Sequence, residues 1–234
     1  MKNKKLVLCT LCARGGSKGL KNKNFLNLNG KPLLNHSIEH ALNLSFVDNV
    51  VFSTDSLKIK QLSIKAGADC WFIRDKELSS DKAAKIPVIC DLLLRSEARY
   101  KKKFDYIIDL DVTSPLRVFE DTIKAFNLFL DKDAANLITG CESRKNPYFN
   151  MVEVHNELPK LVKKSNYKRR QDAPKVYDMN ASIYIWKREA LIKQKSLFTN
   201  KTVFYEMPFE RSIDIDSKSD FDYVEFLMED SNES

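Results

Sequence analysis

The sequence predicts an α/β fold, a mostly parallel sheet with helices on both faces. Three observations predict it. Short apolar runs alternate four times with longer helix-patterned stretches between residues 6 and 130. The chain of 234 residues is 43% hydrophobic, enough for one domain with a sizeable core. A glycine-rich basic turn follows the first apolar run, where a strand's carboxyl end would present it to a ligand.

Residues 6–12 read as the first strand and 32–44 as a helix opened by proline. A second strand spans 49–53, a helix runs over 57–66 and closes at Gly67, and 68–73 reads as a third strand. Residues 81–100 are helical in pattern, with a kink expected at Pro87; 104–110 is a buried strand and 119–130 a further helix. This order predicts right-handed crossovers. After 136–141 the rhythm breaks: residues 144–178 are rich in Pro, Asn, Lys and Arg, with short strand-like pieces such as 151–154. They read as an inserted arm. Core-like sequence returns at 181–186, followed by a helix near 187–194, a strand near 203–207 and a terminal helix over 217–228. The division expected is a core of 1–141 with 180–234, and an arm of 142–179.

No stretch reaches the roughly 18 consecutive apolar residues of a membrane span. The Lys-rich start before residues 6–13 lacks a signal-peptide cleavage site, so a cytoplasmic protein without membrane partners is expected. The five cysteines are scattered and apolar-flanked; Cys9 and Cys12 form a C-x-x-C with no second pair, which fits reduced core thiols. The net charge of +7 hides an asymmetry, because residues 214–234 hold eight acids against one lysine and leave 38 basic and 24 acidic residues before them. That basic portion favours an anionic partner.

Three segments carry chemistry. Residues 13–24 hold Gly15, Gly16 and Gly19 among Arg14, Lys18, Lys21 and Lys23, a composition suited to cradling a polyphosphate. Its spacing matches neither the P-loop nor the dinucleotide fingerprint, and a flexible basic turn is the plain alternative. Ser212-Ile213-Asp214-Ile215-Asp216, read as a strand, puts both carboxylates on one face for a shared divalent cation, with Mg²⁺ the natural candidate. Equally, the two are acids at the N-terminus of the last helix. Asp109 and Asp111 end a buried strand on one face, Asp111 toward a ligand and Asp109 open to a core role. Lys168-Arg169-Arg170-Gln171 suits a carboxylate, a nucleic acid or a solvated face. His36 and His40 lack the H-E-x-x-H glutamate and read as helix residues.

Taken in order, the Arg14 to Asn24 loop, Ser53-Thr54-Asp55, Arg74 with Glu77-Leu78-Ser79-Ser80-Asp81, Thr113-Ser114-Pro115-Leu116-Arg117 and Ser212 to Asp216 resemble the acylneuraminate cytidylyltransferases over nearly the whole chain. The resemblance implies a Rossmann-like domain of the nucleotide-diphospho-sugar transferase type with a small dimerisation arm. It also implies CTP and a nonulosonic acid as substrates, Mg²⁺ as cofactor, a homodimer and no nucleic-acid partner. By position, Ala13, Arg14, Gly15, Ser17, Lys23 and Asn24 would hold the triphosphate, and Arg74, Ser80 and Asp81 the cytidine. Asp214 and Asp216 would bind the metal and, with Arg14 and Lys23, carry catalysis. Asp111, Arg170, Asp178, Asn180 and Tyr184 would shape the sugar pocket. Asp111 stands where sialate enzymes have Gln, Asp178 where they have Arg, and Lys85 where they have a small polar residue. Those departures, with Asn146-Pro147-Tyr148-Phe149-Asn150, resemble the branch acting on legionaminic acid.

Overall fold

The first apolar run forms β1 (Val7–Cys12), buried along nearly its whole length. A two-residue alternation sends Val7, Cys9 and Leu11 into one hydrophobic layer and Leu8 into another, so the sheet is covered on both faces. The computed structural model describes residues 4–16, 19–193 and 196–233. After the glycine-rich loop a ribbon of β2 (Asn27–Leu28) and β3 (Lys31–Pro32) turns through Asn29 and Gly30, both at positive φ, and leads into α1 (Leu33–Leu42). Then come β4 (Asn49–Ser53), α2 (Leu57–Lys65), α3 (Lys85–Tyr100), β5 (Tyr106–Leu110), α4 (Phe119–Asp131) and β6 (Asn136–Glu142). The chain continues as β7 (Val152–His155), β8 (Leu158–Leu161), β9 (Tyr177–Met179), β10 (Ile183–Lys187), α5 (Arg188–Lys193), β11 (Thr202–Glu206) and α6 (Lys218–Glu233).

The central sheet runs β11-β6-β10-β5-β1-β4, with β9 also on β6. β1 pairs in parallel with β4 and β5, and β11 with β6, whereas β10 is antiparallel to both its neighbours. The expected α/β sheet, mostly parallel with helices on both faces, is therefore present. One face packs Leu34 and Ile38 of α1, Ile59 of α2 and Phe129 of α4; the other packs Ile89, Leu92 and Leu93 of α3 with Trp186. A third cluster joins Leu28, Leu33 and Ile215 to Phe221 and Val224 of α6.

Several expectations are corrected. Residues 68–73 form no strand: beside β4 there is a single bridge, Val51 to Asp69, after which the chain leaves the sheet edge with the Arg74 amide still bonded to Thr54 O at 2.8 Å. The third helix starts at Lys85 rather than at 81, which puts Pro87 in the first turn, where its missing N–H has no intrahelical acceptor to lose. Residues 212–216 form no strand or helix; the Ile215 amide bonds to Thr113 O at 2.9 Å. Within the arm, β7 and β8 form their own hairpin, turning on Asn156 and Glu157 at φ +50° and +65°, as a two-residue turn of matching twist requires.

Candidate active site

Parallel pairing sets the carboxyl ends of β1 and β5 side by side, and a cleft opens over them. It has two adjoining halves, of about 390 Å³ and 250 Å³, that share Cys12, Arg14 and Asp111. The larger is lined also by Ala13, Gly19, Lys23, Asn24, Thr113 and Asp216, the smaller by Arg74, Ser80, Asp81 and Lys85. The sequence-derived nucleotide residues thus converge on one site, except that Gly15 lines neither half and Ser17 lies outside the described residues.

The loop after β1 is tied down residue by residue. The Gly15 amide donates to Asp55 at 2.7 Å, Arg14 pairs with Asp81 at 2.5 Å, and buried Asn24 donates to Arg14 O at 3.0 Å. Asn24 thus braces the loop with its side-chain amide while lining the larger half of the cleft. Arg74 is buried, and its Nε donates to Ser79 Oγ at 3.1 Å, which orders the wall formed by residues 77–81.

The segment bearing the two acids is held from several sides. Arg211 makes two 2.8 Å bonds to buried Asp121 at the start of α4, Ser212 Oγ accepts from Asn180 Nδ2 at 2.9 Å, and Ile215 is sunk in the third cluster. Asp216 reaches Lys23 at 2.8 Å. Asp214 Oδ1 is buried with no hydrogen-bond partner. Burial first, and then the negative charge of Asp111, push the Asp214 pKa above its ordinary value, with Asp216 adding to the effect. An orphaned carboxylate oxygen among other acids fits a hard divalent cation. Among the described residues no three His, Cys, Asp or Glu cluster as a metal cage.

Sequence reasoning did not foresee the ion cluster beneath the cleft. Lys85 lies 2.8 Å from Asp111 and 3.1 Å from fully buried Asp109, with its ammonium 4.9 Å from the Tyr184 ring centroid. Burial opposes ionisation of Asp111, but the Lys85 charge and hydrogen bonds from Lys85 and Thr113 outweigh it and hold the carboxyl well below the usual range. The signal was a lysine on the apolar stripe of α3, one turn ahead of Val88 and Ile89.

The sugar residues inferred from resemblance divide. Asp111 lines both halves of the cleft, whereas Tyr184, buried opposite Asp109 on β10, lies under the Lys85 ammonium and lines neither. Asn180 is buried and spends its side chain internally, accepting from Thr139 Oγ1 at 2.6 Å and donating to Ser212. Asp178 is exposed on β9, and Arg170, in the arm, lines a different cavity of about 330 Å³ with Ser143, Asn146 and Lys175. Cys9 and Cys12 are free thiols whose pKa burial drives up; Cys9 lies in the core, whereas Cys12 is half-buried and lines both halves of the cleft.

A family model described as Cytidylyltransferase matches residues 8–232, and so takes in the loop, both halves of the cleft and the paired acids. The chain belongs to the cytidylyltransferase family. It is a nucleotidyltransferase enzyme. The cytidylyltransferase is 46% identical over 222 residues to the CMP-N,N'-diacetyllegionaminic acid synthase of Campylobacter jejuni, a match covering 95% of this chain and 94% of that one. It is also 46% identical to the post-translational flagellin modification protein B of Campylobacter coli, over 97% of this chain and 96% of the relative. Identity falls to 30% against the pseudaminic acid cytidylyltransferase of C. jejuni, over 97% and 98% of the two chains. Among solved structures, a CMP:2-keto-3-deoxy-manno-octonic acid synthetase complexed with CTP shares the fold at a TM-score of 0.71 and 18% identity, covering 97% of this chain and all of that one.

Proposed function

We propose that this cytidylyltransferase transfers CMP from CTP to the anomeric hydroxyl of a nonulosonic acid of the legionaminic type and releases pyrophosphate. The 46% identity to a CMP-N,N'-diacetyllegionaminic acid synthase over 95% of the chain carries this reading, against 30% for the pseudaminic relative. In the smaller half of the cleft Arg74, Ser80 and Asp81 hold the cytidine; in the larger, Arg14 and Lys23 face the triphosphate. Asp214 and Asp216 would hold Mg²⁺. Bound there, it would neutralise charge on the triphosphate and on the departing pyrophosphate.

The protein's own residues do the rest. The anomeric oxygen attacks the α-phosphorus in line, the bond from that phosphorus to the oxygen bridging to the β-phosphate breaks, and one of the two acids takes the hydroxyl proton. Lys23 and Arg14 stabilise charge on the phosphate oxygens, so catalysis is chiefly positioning and electrostatics. The arm, residues 142–179, is read as a dimerisation element. Its Arg170 is offered to the sugar carboxylate, and Asp178 and Asn180 flank the return to the core.

The test is pyrophosphate release from CTP and Mg²⁺ with legionaminic, pseudaminic, N-acetylneuraminic and 3-deoxy-octulosonic acids in parallel. Preference for legionaminic acid is expected. Preference for another acid would keep the reaction and overturn the substrate, and no release with any would overturn both.

A further inference from the structure

Lys85 reaches the sheet from the first turn of α3, and its ammonium is aimed between two carboxylates at the carboxyl end of β5, Asp109 within the strand and Asp111 just beyond it. Each carboxylate spends its other oxygen on the protein. Asp109 Oδ1 accepts from Thr10 Oγ1 at 2.8 Å, and Asp111 Oδ1 accepts from the Thr113 amide at 3.0 Å and hydroxyl at 2.8 Å. The two Oδ2 atoms are left facing one cation position, and Asp109 Oδ2 is buried without a hydrogen bond, its ion-pair partner being the Lys85 ammonium at 3.1 Å. Two hard oxygens converging on one point, at a strand's carboxyl end beside a phosphate-sized cleft, are the donors a divalent ion uses. Here the point is filled by a side chain.

We propose that Lys85 is a tethered cation standing in a second divalent-ion position made by Asp109 and Asp111, and that it thereby confines the metal to Asp214 and Asp216. The second clause rests on the reading of those two acids as ligands; the first does not. Lys85 is a positioning residue in this scheme. It supplies fixed positive charge at the junction of the two halves of the cleft, and it keeps a mobile ion from being drawn away from the phosphate half. A lysine does this without dissociating, so the charge at that point is independent of cation concentration.

The experiment counts Mn²⁺ bound per chain, from the electron paramagnetic resonance signal of free Mn²⁺, in the wild type, Lys85→Gln, and Lys85→Gln with Asp109→Asn. Lys85→Gln is expected to bind one ion more than the wild type, and the double variant to return to the wild-type number. An unchanged count in Lys85→Gln overturns the proposal. Should Lys85→Gln fold only when Mn²⁺ is present, and not in NaCl of equal ionic strength, the ion has replaced the ammonium as proposed. Failure to fold even in saturating Mn²⁺ overturns it. Because the readout is a difference between variant and wild type, it does not depend on how many ions the wild type holds. Pyrophosphate release, which tests the roles of Asp214 and Asp216, is measured separately.

Discussion

Gly19 sits so close to the acid-bearing segment that a β-carbon on it would lie 2.3 Å from the Asp216 carbonyl oxygen. The glycine-rich turn is thus shaped by a close approach to Asp216 as well as by its composition. Gly19→Ala is expected to displace Asp216 from Lys23 and to lower kcat/KM for pyrophosphate release by about 10²-fold. Its urea midpoint should stay near that of the wild type, since the loop rim is exposed. At Asp214 the buried Oδ1 has no hydrogen-bond partner. On the proposal that Asp214 is a Mg²⁺ ligand, Asp214→Asn is expected to cut kcat by about 10²–10³-fold at ordinary magnesium, because a neutral amide would hold less of the metal's positive charge at the phosphates. Steady-state kinetics with CTP varied would check this, and a variant with most of its activity would remove Asp214 from the ligand set.

At the level of elements, the arm shows the clearest unspent surface. The β7–β8 hairpin exposes Val152, Val154 and Leu158, with Val154 63% accessible, and a two-stranded ribbon is marginal unless it packs on something. On the proposal that residues 142–179 are a dimerisation element, Val154→Glu with Leu158→Glu is expected to leave a monomer in sedimentation velocity where the wild type is a dimer, with a rise in sugar-acid KM that exceeds the loss of CTP affinity. Equal loss of both would separate the arm from the sugar site. The strand-like piece at 151–154 was legible in the sequence, but its partner strand and the Asn156-Glu157 turn were not, because both turn residues adopt left-handed backbone that glycine more often supplies.

For the molecule as a whole, acid stability follows from carboxylates at the amino ends of the parallel strands. Asp48 accepts from the Val7 amide and Lys4, Asp105 from the Leu6 amide and Lys5, and Glu97 from Arg188 and the Phe104 amide. Burial raises each pKa, but these hydrogen bonds and charges outweigh it, so all three lie below their ordinary values. Groups so depressed contribute stability that is present above the unfolded-state value near 4 and is lost as pH falls through the folded value. The urea midpoint is therefore expected to sit on a plateau near pH 7, to decline from about pH 6.5 because burial lowers the His40 pKa to about 3 and keeps it neutral while the unfolded chain takes up a proton, and to drop more steeply below about pH 4. Combining Asp48→Asn, Asp105→Asn and Glu97→Gln should lower the plateau and shallow that drop; an unchanged slope would place the acid lability elsewhere.

The alternation of elements, the position of the basic glycine loop after β1, and the apolar stripe of each helix were decided by local sequence, since periodicity and turn chemistry act over a few residues. So was the two-sided burial of β1 and β5, visible as continuous apolar runs. What only tertiary structure decided is which distant residues meet. The strand order β11-β6-β10-β5-β1-β4 brings Lys85 under Asp109 and Asp111, sets Asn180 against Ser212, and ties 212–216 to Thr113 as an irregular segment instead of a strand. Each contact joins positions separated by at least twenty residues, and no period within one element encodes it. The physical reason is that sheet order is set by the packing of both hydrophobic layers at once, and the charges of the cleft take up positions that this packing leaves to them.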